Sequence, residues 1–391
     1  MADGTRKLKV GFADQLRDIE VALPAGEPQP WDATTKLDVV GKPHPRIEAA
    51  AKVTGAARYT HDQRPAGLVH AAVLRCPHPC AVLDALDLEP ARGAPGVLAV
   101  LAVAKVGDRL LFAGQDVAAL AASTPQQAHA ALARIAVRYS PQPFVVDTAA
   151  AMAADAPLVH RAQVRERSTE GDEPGTPSGS SQRGNLRMSP SQKKGDVDKG
   201  LRQAKVTHEA TYSTQAHTHS ALETHSIVLR WDSPTSLTAW CSTQGIFSVR
   251  DELAEVFGLK PQDVHVITDY MGGGFGAKFG ASAPGSRLGF IAGELARQAR
   301  APVALLLDRR EEHLCTGNRP DSIQQVTLGA AADGSLTAIK VLAHGSGGIG
   351  TGAGVGRNAF AIYTKCPNIR VESHDVFTHA GPATAFRAPG H

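Results

Sequence analysis

The residues best placed to do chemistry are Met271-Gly-Gly-Gly-Phe-Gly-Ala-Lys278, a glycine run that follows a short apolar, strand-like segment. Glycines let a backbone approach a ligand closely and present N–H groups with no side chain in the way, which suits a phosphate or an oxo group. A P-loop is excluded, because Ala277 stands where the second glycine belongs and Phe279 follows the lysine where a metal-binding hydroxyl is required. A dinucleotide fingerprint matches formally as Gly272-x-Gly274-x-x-Ala277, with Asp308 closing the next strand like a ribose-binding acid. Against it, Asp308 lies about thirty residues beyond the loop where roughly 20 is usual, and Pro284-Gly285 delay the helix. Taken alone, the glycines also read as a plain tight turn between strand and helix.

Other clusters carry less. Cys76-Pro-His-Pro-Cys80 has two prolines in its gap and no second cysteine pair, which argues against zinc. His217, His219, Glu223 and His225, along an expected strand, could be imagined as a metal cluster, but packing is favoured over a shared metal. Asp308-Arg-Arg-Glu-Glu312 reads as a solvated helix start with nothing catalytic in it.

The elements that must position these residues fall into segments. Residues 1–37 mix charge and proline and read as an extended arm without helix or strand periodicity. Residues 38–150 alternate short apolar runs with helical ones, an α/β pattern; Thr124-Pro125 is a helix start, and strands are expected near 68–74, 97–103, 117–122 and 135–139. Residues 151–194, rich in Ser, Gly and Pro through Gly175–Ser181, read as a linker. From residue 195 to 391 strands dominate, with a helix capped by Thr243 and closed by Gly258, a second from about Arg287 to Gln298, and a hairpin at Asp333-Gly334.

Composition bounds the function classes. The 391 residues carry 41 basic and 38 acidic side chains, a formal charge of +3, which makes no electrostatic case for nucleic acid or an anionic membrane. An apolar share of 42% with 20% charged residues is that of a globular protein with a sizeable interior. Five scattered cysteines suggest reduced thiols and a cytoplasmic setting, and no apolar stretch approaches the roughly 20 residues of a membrane span. A periplasmic destination stays open if a partner carries an export signal.

Ser242-Thr-Gln244, a helix, and then Met271-Gly-Gly-Gly-Phe-Gly276 resemble the molybdenum-site signature of the xanthine dehydrogenase/aldehyde oxidase family. Gly195–Gly200, His219–His225 and Thr384-Ala-Phe-Arg-Ala-Pro389 resemble further segments of its large subunit in the same order. Gly41-Lys42, Gly55–Thr60 and Leu74–Pro79 are similar to the family's N-terminal α/β hammerhead domain, so the resemblance covers roughly Asp38 to the end.

The resemblance implies a hammerhead domain at 38–150 and the first half of a molybdopterin-binding domain at 195–391. Gln244 would hydrogen-bond an oxygen on molybdenum, while the backbone at Gly274, Phe275 and Gly276 borders metal and pterin. Phe386 and Arg387 match a loop passing close to the metal, where a guanidinium offers a rigid fork of donors to an anionic cofactor. Phe279 occupies the position where purine-hydroxylating relatives use an acid, and it cannot accept a substrate N–H. Pro389 stands where those relatives have a stacking aromatic ring. Both departures point to an aldehyde or N-heteroaromatic substrate, as in bacterial aldehyde oxidase or isoquinoline oxidoreductase-type subunits.

By the same resemblance the subunit is a hydroxylase using water as oxygen source, with a molybdenum-pterin cofactor that takes a cytosine dinucleotide form in some members. Electrons would pass to [2Fe-2S] and FAD on partner subunits. The family's base, a glutamate near the large subunit's C-terminus, falls in a half expected to be absent here, so this chain should bind cofactor weakly or not at all and be inactive alone. The alternatives are an NAD-binding Rossmann-type oxidoreductase and an inactive truncated fragment.

Overall fold

Asp116–Ala122, an unbroken run of mostly small apolar residues, is buried at every position because both of its faces are covered. In the computed structural model, which describes residues 5–10, 17–22, 31–162, 181–353 and 358–387, this strand lies next to one edge of a seven-stranded sheet. Its spatial order is Val264–Ile267, Ser236–Cys241, Ser226–Ser233, Val303–Leu306, Val69–Arg75, Asp116–Ala122, Val97–Ala102. Ser236–Cys241 pairs parallel with Val264–Ile267, and Val303–Leu306 parallel with Val69–Arg75; the remaining pairs are antiparallel. Segments 38–150 and 195–391, separate in sequence, thus complete one another's sheet.

Helix Leu288–Ala299 lies on one face. Leu288, Ile291, Ala292, Leu295 and Ala296, at helical spacing, are buried in one cluster with Leu229, Leu253 and Leu305. Helix Pro125–Leu132 covers part of the other face through Ala128 and Ala131, against Ala72, Ala118 and Leu120. Thr124 caps it, its hydroxyl accepting from Gln127 N at 3.2 Å. Helix Ile246–Phe257 ends on Gly258 at φ +65°, as expected, but its N-cap is Gly245 and not Thr243. The Thr243 hydroxyl is committed elsewhere, accepting from Gly245 N and donating to Lys278 O.

A second seven-stranded sheet contains, in order, Val206–Thr214, Ser322–Ala330, Leu336–Gly348, Ile369–Phe377, Leu186–Met188 and Ser181–Arg183, with Gln192–Lys194 also pairing Ile369–Phe377. The turn at Asp333-Gly334 joins Ser322–Ala330 to Leu336–Gly348, Gly334 taking φ +84°. Three short strands therefore occupy the end of the stretch expected to be a linker; Ser181–Arg183 pairs the adjacent Leu186–Met188, while Leu186–Met188 and Gln192–Lys194 pair Ile369–Phe377 far along the chain, of which local composition carries no sign. Most of the Gly175–Ser181 run lies outside the described residues. A small sheet joins Arg109–Leu110, Ala81–Asp87 and Ala136–Pro141.

The chain divides into two units, Met1–Ala57 and Arg58–His391. In the first, Thr5–Val10 and Arg17–Ala22 form an antiparallel hairpin in place of the expected arm, with Lys7 and Glu20 opposed across it. Among the described residues no helix is long and apolar enough to cross a membrane.

Candidate functional site

The glycine run emerges at the end of the central sheet where Ser226–Ser233 begins and Ser236–Cys241 and Val264–Ile267 end. Each alternate glycine is required by close approach. A Cβ at Gly272 would stand 2.5 Å from Glu223 Cβ, one at Gly274 2.7 Å from Gln244 Cδ, and one at Gly276 2.7 Å from the Ala385 carbonyl oxygen. Gly273, Phe275 and Gly276 have positive φ, and Phe275 does so at +51° with its ring nearly half exposed. Such alternation of handedness is what turns successive amide N–H groups toward one centre. Among the described residues, nothing accepts the N–H groups of Gly273, Gly274 and Phe275.

Gln244 follows Ser236–Cys241 and is locked from behind. Its Oε1 accepts from Gly276 N at 2.8 Å and Lys278 N at 3.4 Å, and its own N–H donates to Lys278 O at 2.6 Å. The side-chain oxygen is therefore used by the loop, which leaves the Nε2 donors without a partner among the described residues. The segment Thr384–Arg387 crosses the same loop, Arg387 N donating to Phe275 O at 2.9 Å. Its Phe386 ring stacks on His219 at 4.6 Å and lies 4.2 Å from the Arg319 guanidinium carbon. His219 Nε2 donates to Ala385 O at 2.7 Å, and burial holds its imidazole below the ordinary range. The expected site residues Gln244, Gly274, Phe275, Gly276 and Arg387 thus meet in one place. Phe279 is partly exposed close by, its carbonyl facing Gly245. Pro389 lies outside the described residues.

Four ionisable side chains support the loop from beneath, and sequence reasoning passed over all of them. Glu223 accepts from Gly272 N at 2.7 Å, Ser242 Oγ at 3.0 Å and Thr60 N at 3.2 Å. Lys278, only 1% exposed, donates to Glu223 O at 2.6 Å, Ser242 Oγ at 2.8 Å and Thr224 O at 3.4 Å. Burial presses its ammonium below the usual lysine range against the opposing pull of Glu223 and Glu312. His225 joins Glu312 to Ala277 O. Burial presses the Glu312 carboxyl upward, yet the hydrogen bonds and charge of His225, with Lys278, leave it below the ordinary range.

Two sequence expectations are corrected here. Residues 221–225 do not form the expected strand, and Glu223 and His225 both hold the loop; Glu312 is buried, not solvated. Only the i, i+2 spacing of Glu223 and His225 could have signalled them; Glu312 and Lys278 are brought in by tertiary contact.

The dinucleotide reading finds no support. The Asp308 carboxylate caps helix Arg309–Cys315 in a reciprocal box with Glu311, and the helix after the loop starts only at Leu288. Cys76 and Cys80 are buried free thiols, and no metal-holding cluster of His, Cys, Asp and Glu exists among the described residues.

Residues 180–391 match the molybdopterin cofactor-binding domain family. The chain is 32% identical over 323 residues to the aldehyde oxidoreductase molybdenum-binding subunit PaoC of Escherichia coli K12, covering 81% of this chain and 41% of that subunit. It is 27% identical over 379 residues to the nicotinate dehydrogenase large molybdopterin subunit of Eubacterium barkeri, covering 90% of this chain and 82% of that one. In fold it is similar to CO dehydrogenase from Oligotropha carboxidovorans, with a TM-score of 0.73 at 22% identity over 88% of this chain and 45% of that one. The chain therefore spans about two fifths of the aldehyde oxidoreductase subunit's length and most of the nicotinate dehydrogenase subunit's.

Proposed function

Because this chain belongs to the molybdopterin-binding large subunits of the xanthine dehydrogenase family, we propose that it holds the molybdenum-pterin cofactor of a hydroxylase acting on an aldehyde or an N-heteroaromatic compound. The observation that carries this reading is the row of unused amide N–H groups at Gly273, Gly274 and Phe275, set beside the uncommitted Nε2 donors of Gln244. Such a cradle fits an anionic, oxygen-rich group and would be closed by any Cβ at Gly274.

When bound, the cofactor supplies the oxygen transfer and the two-electron oxidation. This chain's residues bind and orient. Gln244 would offer its amide N–H to the cofactor without coordinating a metal, and the Gly274–Gly276 backbone would help to hold the group. The Arg387 guanidinium, unpaired among the described residues, is available to the cofactor's charge. Phe275 and Phe279 present apolar rings that exclude water and offer no acceptor to a substrate N–H, which favours an aldehyde or azaarene over xanthine. Replacing Phe279→Glu would then raise purine turnover relative to aldehyde turnover, read as a ratio of kcat/KM values in the assembled enzyme.

The proposed assembly includes the rest of a large subunit, which supplies the base glutamate, and [2Fe-2S] and FAD subunits that take the electrons. A cytosine dinucleotide form of the pterin and a cytoplasmic setting belong to the same proposal, as does a hammerhead role for residues 38–150.

The test is molybdenum, pterin, iron and flavin content of the chain purified from its source with whatever accompanies it. Near-stoichiometric molybdenum with iron and flavin is expected. A metal-free chain that binds NAD sinks the proposal, and an empty chain with no partner favours a cofactor-free scaffold.

A further inference from the structure

His225 faces hydrogen-bond acceptors at both ring nitrogens. Nε2 lies 3.0 Å from the Ala277 carbonyl oxygen and Nδ1 lies 2.9 Å from Glu312 Oε1. A neutral imidazole beside an ionised carboxylate has one N–H for these two contacts, which leaves one lone pair directed at another. Glu312 cannot turn aside, because its Oε2 accepts the backbone N–H of His225 at 2.8 Å. Both side chains are nearly inaccessible, 5% and 1% exposed, so water is poorly placed to relieve the conflict.

We propose that His225 and Glu312 together keep two side-chain protons, one between them and one on Nε2, and that the Nε2–H is what fixes Ala277 and with it the loop from Gly272 to Lys278. His225 and Glu312 are then positioning residues that touch no ligand themselves. Whether the shared proton rests nearer Nδ1 or Oε1, Nε2 remains a donor. No other described donor reaches Ala277 O, whereas Ala277 N closes the loop by donating to Gly274 O at 3.0 Å. The other charged or titratable groups nearby are already engaged: Lys278 on two carbonyls and Ser242, Glu223 on Gly272, Thr60 and Ser242, and His219 on Ala385. The link to cofactor rests on the proposed function; the protonation and the loop contact do not.

Histidine-selective 15N labelling of the full chain at pH 7, with His225→Gln for assignment, is the direct test. A slowly exchanging proton on Nε2 of one histidine and a second proton held in its hydrogen bond to the carboxyl are expected, and a bare Nε2 at His225 overturns the proposal. The second test is hydrogen exchange across the loop in His225→Phe, which keeps a ring but has no Nε2–H, and in Glu312→Gln, whose amide can donate to Nδ1 and leave the Nε2–H in place. Exchange should rise about tenfold in the first, as for the loss of one hydrogen bond, and stay near the parent rate in the second. An unchanged loop in His225→Phe overturns the positioning role, and the labelling result stands by itself should that variant fail to fold. If both results hold while the parent protein takes up no molybdenum, the proposed function fails and this inference survives.

Discussion

A methyl group at position 274 would collide with the Gln244 side chain, whose Oε1 also holds Gly276 N and Lys278 N. Gly274→Ala must therefore push Gln244 off the loop, and molybdenum and pterin content should fall on the order of 10- to 100-fold with the melting temperature little changed; metal and pterin assays on the assembled protein check this. Glu312 makes a second prediction at the same scale. Its carboxyl sits below its ordinary value of 4.5 in the folded chain, so its contribution is complete above that value and is lost as pH falls through the depressed one. Melting temperatures from pH 7 down to 3 should drop less steeply in Glu312→Gln than in the parent. The individual motif residues were legible through the ordered motifs that resemble the family, since the glycines alone read as a tight turn and Gln244 alone as a solvent-facing glutamine. Their supports were not, since a buried lysine or glutamate looks in sequence like any surface charge.

Helices here are governed by a few contacts of very different size. Gly293 on Leu288–Ala299 receives the Phe257 ring at the end of Ile246–Phe257, and a Cβ there would stand 2.6 Å from ring atom Cε2. Gly293→Ala should cost roughly 1–3 kcal/mol by overpacking, although in an isolated helix alanine would be the better residue. Thr124→Ala removes only a cap and should cost about 1 kcal/mol. Denaturant midpoints of the two variants decide the order. Element positions were readable from periodicity, as with Ser236–Cys241 and Val264–Ile267, whereas the Gly245 cap was not, because Lys278 competes for the Thr243 hydroxyl only once the chain has folded.

Across the whole molecule, one buried ion cluster ties strands early in sequence to loops late in it. Arg75 on Val69–Arg75 pairs with Asp116 on the neighbouring strand and with Glu311 at 2.9 Å, and Asp116 also accepts from Ser286 Oγ and Arg287 N. Arg75→Met leaves Asp116 buried without its cation and should cost about 3–5 kcal/mol, measured by chemical denaturation; a loss under 1 kcal/mol would mean that Ser286 and Arg287 satisfy the carboxylate by themselves. The same crossing explains why segment boundaries drawn at 150 and 195 do not partition the central sheet: Val303–Leu306 hydrogen-bonds Val69–Arg75 in parallel.

By itself the sequence determined the α/β class and most strand and helix positions, because hydrophobic period is a property of neighbours along the chain; Gln244, Gly274, Phe275, Gly276 and Arg387 were singled out by the family resemblance, and their roles belong to the proposed function. Only the tertiary structure decided that Leu186–Met188 and Gln192–Lys194 are strands paired to Ile369–Phe377, and that Glu223, His225, Lys278 and Glu312 gather beneath one loop. Those outcomes depend on hydrogen-bond partners tens of residues away and on exclusion of water, neither of which leaves a trace in local residue order.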